Sequence, residues 1–125
     1  MNWTIKYKKG EDYVTVVTEG RFTVADHLKM SEEIIAGDFW RPGMNVLFDH
    51  RRLDFGNTGF EAMKKASATH VKNDARIGDG KAAILMKSVS DFGLGRQFEM
   101  LTDEKISANL HIFLDEKQAR RWLNL

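Results

Sequence analysis

Three groups of residues carry the chemistry that this chain offers. The first is a turn, Leu53-Asp54-Phe55-Gly56-Asn57-Thr58-Gly59-Phe60, where a hydroxyl stands at the expected start of a helix. A threonine there caps free backbone donors, which contributes about 1 kcal/mol. The same position suits phosphorylation. A phosphate at a helix N-terminus meets unpaired amides and the positive end of the helix dipole, so Thr58 is a candidate phospho-switch. The second group is Asp49-His50-Arg51-Arg52, which follows an apolar stretch expected to be a strand. Ligands of open α/β sheets collect beyond the carboxyl ends of the strands. Asp49, His50, Arg51 and Arg52, with Asn57 in the neighbouring turn, therefore form a candidate surface for an anion or a protein partner. The third group is the histidines, His27, His50, His70 and His111. None forms a His-x-x-x-His pair or stands at ligand spacing from carboxylates, so no metal site is expected. They read as satisfied core or edge imidazoles.

Three look-alikes carry nothing. Asp91-Phe92-Gly93 spells the kinase metal-binding triplet in a chain far too short for a kinase. Gly78-Asp79-Gly80-Lys81 lacks phosphate-loop spacing and precedes a strand instead of opening a helix. Gly93-x-Gly95 lacks the third glycine of a dinucleotide fingerprint. Asp49, His50 and Asp54 are the only close acid/base candidates, and no nucleophile, base and oxyanion donor can be drawn together. No catalytic residue and no cofactor are expected.

The elements that must position these residues read as strands and helices in alternation. Trp3-Ile5-Tyr7 alternates with polar residues, and Tyr13-Val14-Thr15-Val16-Val17-Thr18 is β-branched, which predicts a hairpin. A helix is expected from Thr23, with Asp26 completing a capping box. Its inward face reads as Val24, Leu28, Ser31 and Ile35 with Ile34 beside it, and Gly37 as its left-handed stop. Residues 44–49 read as a two-sided core strand. The next helix begins at Asn57 or Thr58, with Glu61 closing a box from Thr58. Phe60, Met63, Ser67 and Val71 are placed inward. Residues 76–80 read as a loop, 81–86 as a strand, and Ser90 as the cap of a third helix reaching Leu101. Gly93 and Gly95 weaken that helix, each by roughly 1 kcal/mol. Residues 109–113 read as the last strand, with Asp115 capping the last helix. Trp40, beside Arg41-Pro42, reads as an exposed contact residue.

Bulk properties narrow the classes. At 125 residues the chain suits a single domain spanning 1–125. With no cysteine, disulfides and thiolate chemistry are excluded, and a reducing cytoplasm is the expected location. Nineteen basic and 18 acidic side chains leave a net charge of +1, too balanced for general attraction to nucleic acid. No apolar run is long enough to span a membrane.

The ββαβαβαβα order, the segment Trp40-x-Pro42-Gly43-x-Asn45-x-Leu47-x-Asp49 and Phe92-Gly93 opening the third helix carry a resemblance. The chain resembles the STAS superfamily of sulfate transporter and anti-sigma factor antagonist domains, in its SpoIIAA-like (STAS/SEC14-like) branch. The resemblance implies a mixed, mostly parallel sheet of four or five strands, an N-terminal antiparallel hairpin and helices packed around it. In the antagonists a kinase phosphorylates a serine in a turn of the form Phe-x-Asp-Ser-Ser-Gly. Here Phe55-Gly56-Asn57-Thr58-Gly59 is one residue shorter, with Asn57 in place of the aspartate and Thr58 in place of serine. The expected function is a non-catalytic regulatory or protein-interaction domain with a protein partner. The alternative is a small-ligand or lipid-binding module with peripheral lipid contact. The hairpin edge or the first helix offers a surface for a homodimer.

Overall fold

Alternating polarity makes the first two strands, and both build one side of a larger sheet. The computed structural model describes residues 1–125. The chain runs β1 (Asn2–Lys6), β2 (Tyr13–Arg21), α1 (Val24–Ile35), β3 (Asn45–Asp54), α2 (Phe60–Lys72), α3 (Asp74–Ile77), β4 (Lys81–Leu85), α4 (Val89–Thr102), a 3-10 turn (Asp103–Lys105), β5 (Asn109–Phe113) and α5 (Glu116–Trp122). The five strands lie in sequence order. β1 is antiparallel to β2, and every later pair is parallel. The expected order holds, with one short helix, α3, added after α2 and running into the region 76–80 expected to be a loop.

Strand alternation divides the core. Val14, Val16, Val46, Ile84 and Ile112 point to the face covered by α1, α2 and α4. Leu47, Ala83, Leu85 and Phe113 point to the other face, where Ala119 and Leu123 at the C-terminal end of the chain cover them. Burial of this apolar surface holds the layers together at roughly 25 cal/mol per Å².

Several local expectations shift. In α1, Thr23 Oγ1 accepts the Asp26 N–H at 3.1 Å, which is half of the capping box. The deeply buried residues of that helix are Met30 and Ile34, while Leu28 is only half-buried. Its inward face therefore runs through His27, Met30 and Ile34, rotated from the expected stripe. Gly37 is not left-handed; α1 ends on Ala36, in the right-handed region at φ −91°. A Cβ at Gly37 would sit 2.5 Å from the Phe39 ring, so a larger residue there requires that ring to shift. α4 is capped by Ser88, whose Oγ accepts the Asp91 N–H at 3.2 Å, and not by Ser90. Phe60 is 50% exposed where an inward side chain was expected. Trp40 is half-buried, with its indole N–H bonded to Arg76 O at 2.9 Å, so it is a packing residue more than an exposed contact. Gly95 is packed as its type suggests: a Cβ would meet Ile112 Cγ2 at 3.1 Å.

Two loops at the amino ends of β3 and β4 touch backbone to backbone. The Gly43 N–H donates to Ile77 O at 2.9 Å. Gly78 has φ 84° and ψ −164°, a region closed to residues with a Cβ. A Cβ there would also lie 2.2 Å from Gly43 N. Strain and collision act together, so Gly78→Ala should cost about 3 kcal/mol or more. Equilibrium denaturation of the variant measures this; an unchanged midpoint would show that the two loops separate freely.

Candidate functional site

β3 is longer than its apolar core. It pairs with β4 as far as Asp49, opposite Leu85. Beyond a register shift after Val17, its last residues pair with β2, Arg52 with Glu19 and Asp54 with Arg21. Asp49, His50, Arg51 and Arg52 are therefore strand residues, not a loop beyond the strand. Alternation then separates them, because neighbouring side chains leave a strand on opposite faces.

Asp49 and Arg51 fall on the α5 face. Arg51 Nε donates to Asp49 Oδ1 at 2.9 Å and Nη2 to Asp49 Oδ2 at 2.8 Å. Nη2 also reaches Glu116 Oε1 at 2.8 Å, and Arg120 Nε donates to Glu116 Oε2 at 2.9 Å. Hydrogen bonds from Arg51 hold the Asp49 carboxyl below its ordinary value, and Asp49 raises Arg51 in turn. Both charges are spent on each other, which removes Arg51 from the expected anion site. Arg52 and Lys87 remain without an ion-pair partner and line one hollow with Asp54, Gly56, Ser88 and Asp91.

His50 goes to the opposite face and is buried. Its Nδ1 lies 2.7 Å from Thr18 Oγ1, and that hydroxyl lies 3.3 Å from Asp49 O. His27 of α1 lines the same apolar cavity as His50. Burial pushes His27 down to about 4 and His50 down to about 3. Burial also lowers His70 of α2. Treated one by one, the histidines look like ordinary core residues; the structure gathers His27 and His50 in one pocket.

The turn from β3 to α2 bends twice. Asp54 Oδ1 accepts the Gly56 N–H at 2.8 Å, and Phe55 O accepts the Thr58 N–H at 2.9 Å. This uses the chain through Thr58, so α2 begins later, with Gly59 as a cap that has no side chain to offer. The expected box between Thr58 and Glu61 does not form, and Glu61 instead lies 3.9 Å from Lys64. Thr58 is half-exposed, and its hydroxyl is not engaged in capping. Thr58, Ser90, Asp91 and Gly93 line a groove between the turn and the start of α4. Asn57 is exposed in the same turn. Phe60 (50% exposed) and Val89 (77%) open the two adjacent helices, and Leu114 (46%) follows β5. The carboxyl rim of the sheet thus combines open apolar side chains, two free cations and an unengaged hydroxyl.

Asp49, His50 and Asp54 do not converge. The first is paired with Arg51, the second is on the other face, and the third holds the turn. No three of the histidine and carboxylate side chains are grouped to hold a metal ion.

In comparisons with known proteins, no family model matches the chain, and no curated protein matches it. A solved structure does. An uncharacterised protein of the DUF3478 family from Shewanella loihica PV-4, described as having a SpoIIAA-like fold, superposes with a TM-score of 0.60 at 17% identity. The match covers 98% of this chain and 92% of that one. This chain has a SpoIIAA-like fold. On that fold the β3–α2 turn carries Thr58, and the carboxyl rim of the SpoIIAA-like sheet is the surface described above. No helix is long and apolar enough to cross a membrane.

Proposed function

We propose that this chain is a single, non-catalytic, cytoplasmic regulatory domain that binds a protein partner through the carboxyl rim of its sheet, with Thr58 as a phosphorylation switch. The observation that carries the reading is the uncapped start of α2 beside the unengaged Thr58 hydroxyl. Amides at an uncapped helix start favour an anion. The exposed Phe60 and Val89 supply apolar anchors, and Arg52 and Lys87 supply charge at the rim. Apolar anchors within a polar rim are the usual composition of a contact surface.

The test is affinity capture from the protein's own cells with wild type and a Phe60→Asp/Val89→Asp variant. The reading expects a partner retained by wild type and by Glu104→Lys on the remote 3-10 turn, but lost from the rim variant. Retention by all three would place the contact elsewhere.

A lipid-sized ligand finds little room. The two apolar cavities measure about 70 and about 50 Å³, against several hundred for sites that hold drug-sized molecules.

A further inference from the structure

The smaller apolar cavity lies between the sheet and the helices α1, α2 and α4. Phe22, Phe55, Met63, Met86, Leu94 and Phe98 supply most of its wall, and His27 and His50 are its polar groups. Tilted and edge-on rings pack around it: Phe22 lies 5.7 Å from His27 and 5.3 Å from Phe55, and His50 meets Phe55 edge-on at 6.2 Å. Its volume is about 50 Å³, room for roughly four water-sized groups.

Two imidazoles are an uncommon cost in such a wall, because a buried polar atom without a partner loses its hydration and regains nothing. His27 Nδ1 is inaccessible and has no partner. A bare ring nitrogen is cheaper to bury than an N–H, so the proton belongs on Nε2. His50 is fixed from the other side. Thr18 Oγ1 contacts both His50 Nδ1 and Asp49 O, and it has a single hydrogen. Both contacts are satisfied when Thr18 donates to Asp49 O and accepts from His50 Nδ1–H. That leaves His50 Nε2 as a bare acceptor. Neither Nε2 has a protein partner.

One ring therefore offers a donor and the other an acceptor, in a greasy space of a few atoms. A hydroxyl answers both, since it donates and accepts at once. A charged group is refused, because burial disfavours charge on either ring and nothing else there neutralises it. Water fits the hydrogen bonds but not the remaining apolar wall.

We propose that this cavity binds a small neutral alcohol of about four or five heavy atoms, its hydroxyl held between His27 and His50 and its hydrocarbon part against Phe22, Phe55 and Leu94. The cavity shares Phe55 and Leu94 with the groove at the rim, but the proposed ligand rests on the two rings and not on the proposed partner.

The probe is isobutanol, with 2-methylbutane as the isostere that carries a methyl group in place of the hydroxyl. Ring-nitrogen NMR of the ¹⁵N-labelled protein reads both histidines directly. Isobutanol should give saturable shifts at the His27 and His50 ring nitrogens and bind about ten-fold more tightly than the alkane, the value of one buried hydrogen bond. His50→Phe, which keeps a ring and removes the acceptor, should abolish that preference. Thr18→Val, which releases the tautomer while conserving shape, should reduce it. Thr18→Val also tests the idea should His50→Phe fail to fold. Equal binding of alkane and alcohol would show a merely apolar void. Binding of neither, with an exchangeable water at the rings, would show a hydration site. Either result would overturn the proposal.

Discussion

Acidification to about pH 4.5 should cost the fold on the order of 5 kcal/mol through His27 and His50 alone. In the unfolded chain each titrates near its ordinary 6.5, whereas in the fold burial holds His27 to about 4 and His50 to about 3. Between the two values the unfolded chain binds more protons, so stability rises with pH across the window and falls as pH drops through it. It is fully present above about 6.5 and lost progressively toward 4 and then 3. The complete separations correspond to about 3 and about 5 kcal/mol. A domain holds only roughly 5–15 kcal/mol in all, so the effect decides whether it stays folded. Burial of His70 acts in the same direction. The carboxylates do not confuse the reading. Asp49 is kept ionised by Arg51 and Glu116 by Arg120, so their charges are lost only at lower pH. Denaturant midpoints measured from about pH 7 to about pH 4.5 should fall steeply in wild type and much less in a His27→Leu/His50→Leu variant. A wild-type midpoint that stays level would mean the imidazoles are hydrated in the fold.

Thr58→Glu should weaken partner binding by at least about ten-fold while leaving the fold as stable as before or slightly more so. The two effects have different origins. A carboxylate beside the uncapped start of α2 interacts favourably with the helix dipole, by about 0.3–1 kcal/mol. At the rim it adds charge beside Asp54 and Asp91 and must be desolvated against a partner seated on Phe60 and Val89. Thr58→Val should leave affinity unchanged, because the hydroxyl is not a cap in this fold. Titration calorimetry with the captured partner, paired with denaturation of each variant, separates binding from folding. Equal affinity for Thr58→Glu would remove the switch from the account.

How much of this was legible in the sequence depends on which physics each residue obeys. Period-two alternation in Trp3-Thr4-Ile5-Lys6 and the apolar run of 44–49 place strands because sheet faces impose that pattern, and the element order follows. Boundaries at special turns were not legible. Thr58 and Glu61 match a capping box in type and spacing, yet the preceding turn, closed by Asp54 and Gly56, delays the helix to Phe60. The charged end of β3 read as loop because Arg51 and Arg52 are polar. It is a strand because β2 continues beside it, a long-range pairing that no local window contains.

The histidine pocket was half legible. Phe48 and His50 are two apart on β3 and must share a face. Had the inward stripe of α1 been drawn through Met30 and Ile34, His27 would have joined them. Leu28 and Ile35 are the more obvious apolar choices, and they pulled the stripe around the helix. That His27 of α1 and His50 of β3 line one pocket depends on packing between helix and sheet, which sequence spacing does not encode.

Native mass spectrometry of the protein isolated from its own cells tests the central claim most directly. The account predicts two populations: a complex with a second protein in which Thr58 is unmodified, and a free chain carrying phosphate on Thr58. A bare chain with unmodified Thr58 and no bound protein would contradict it.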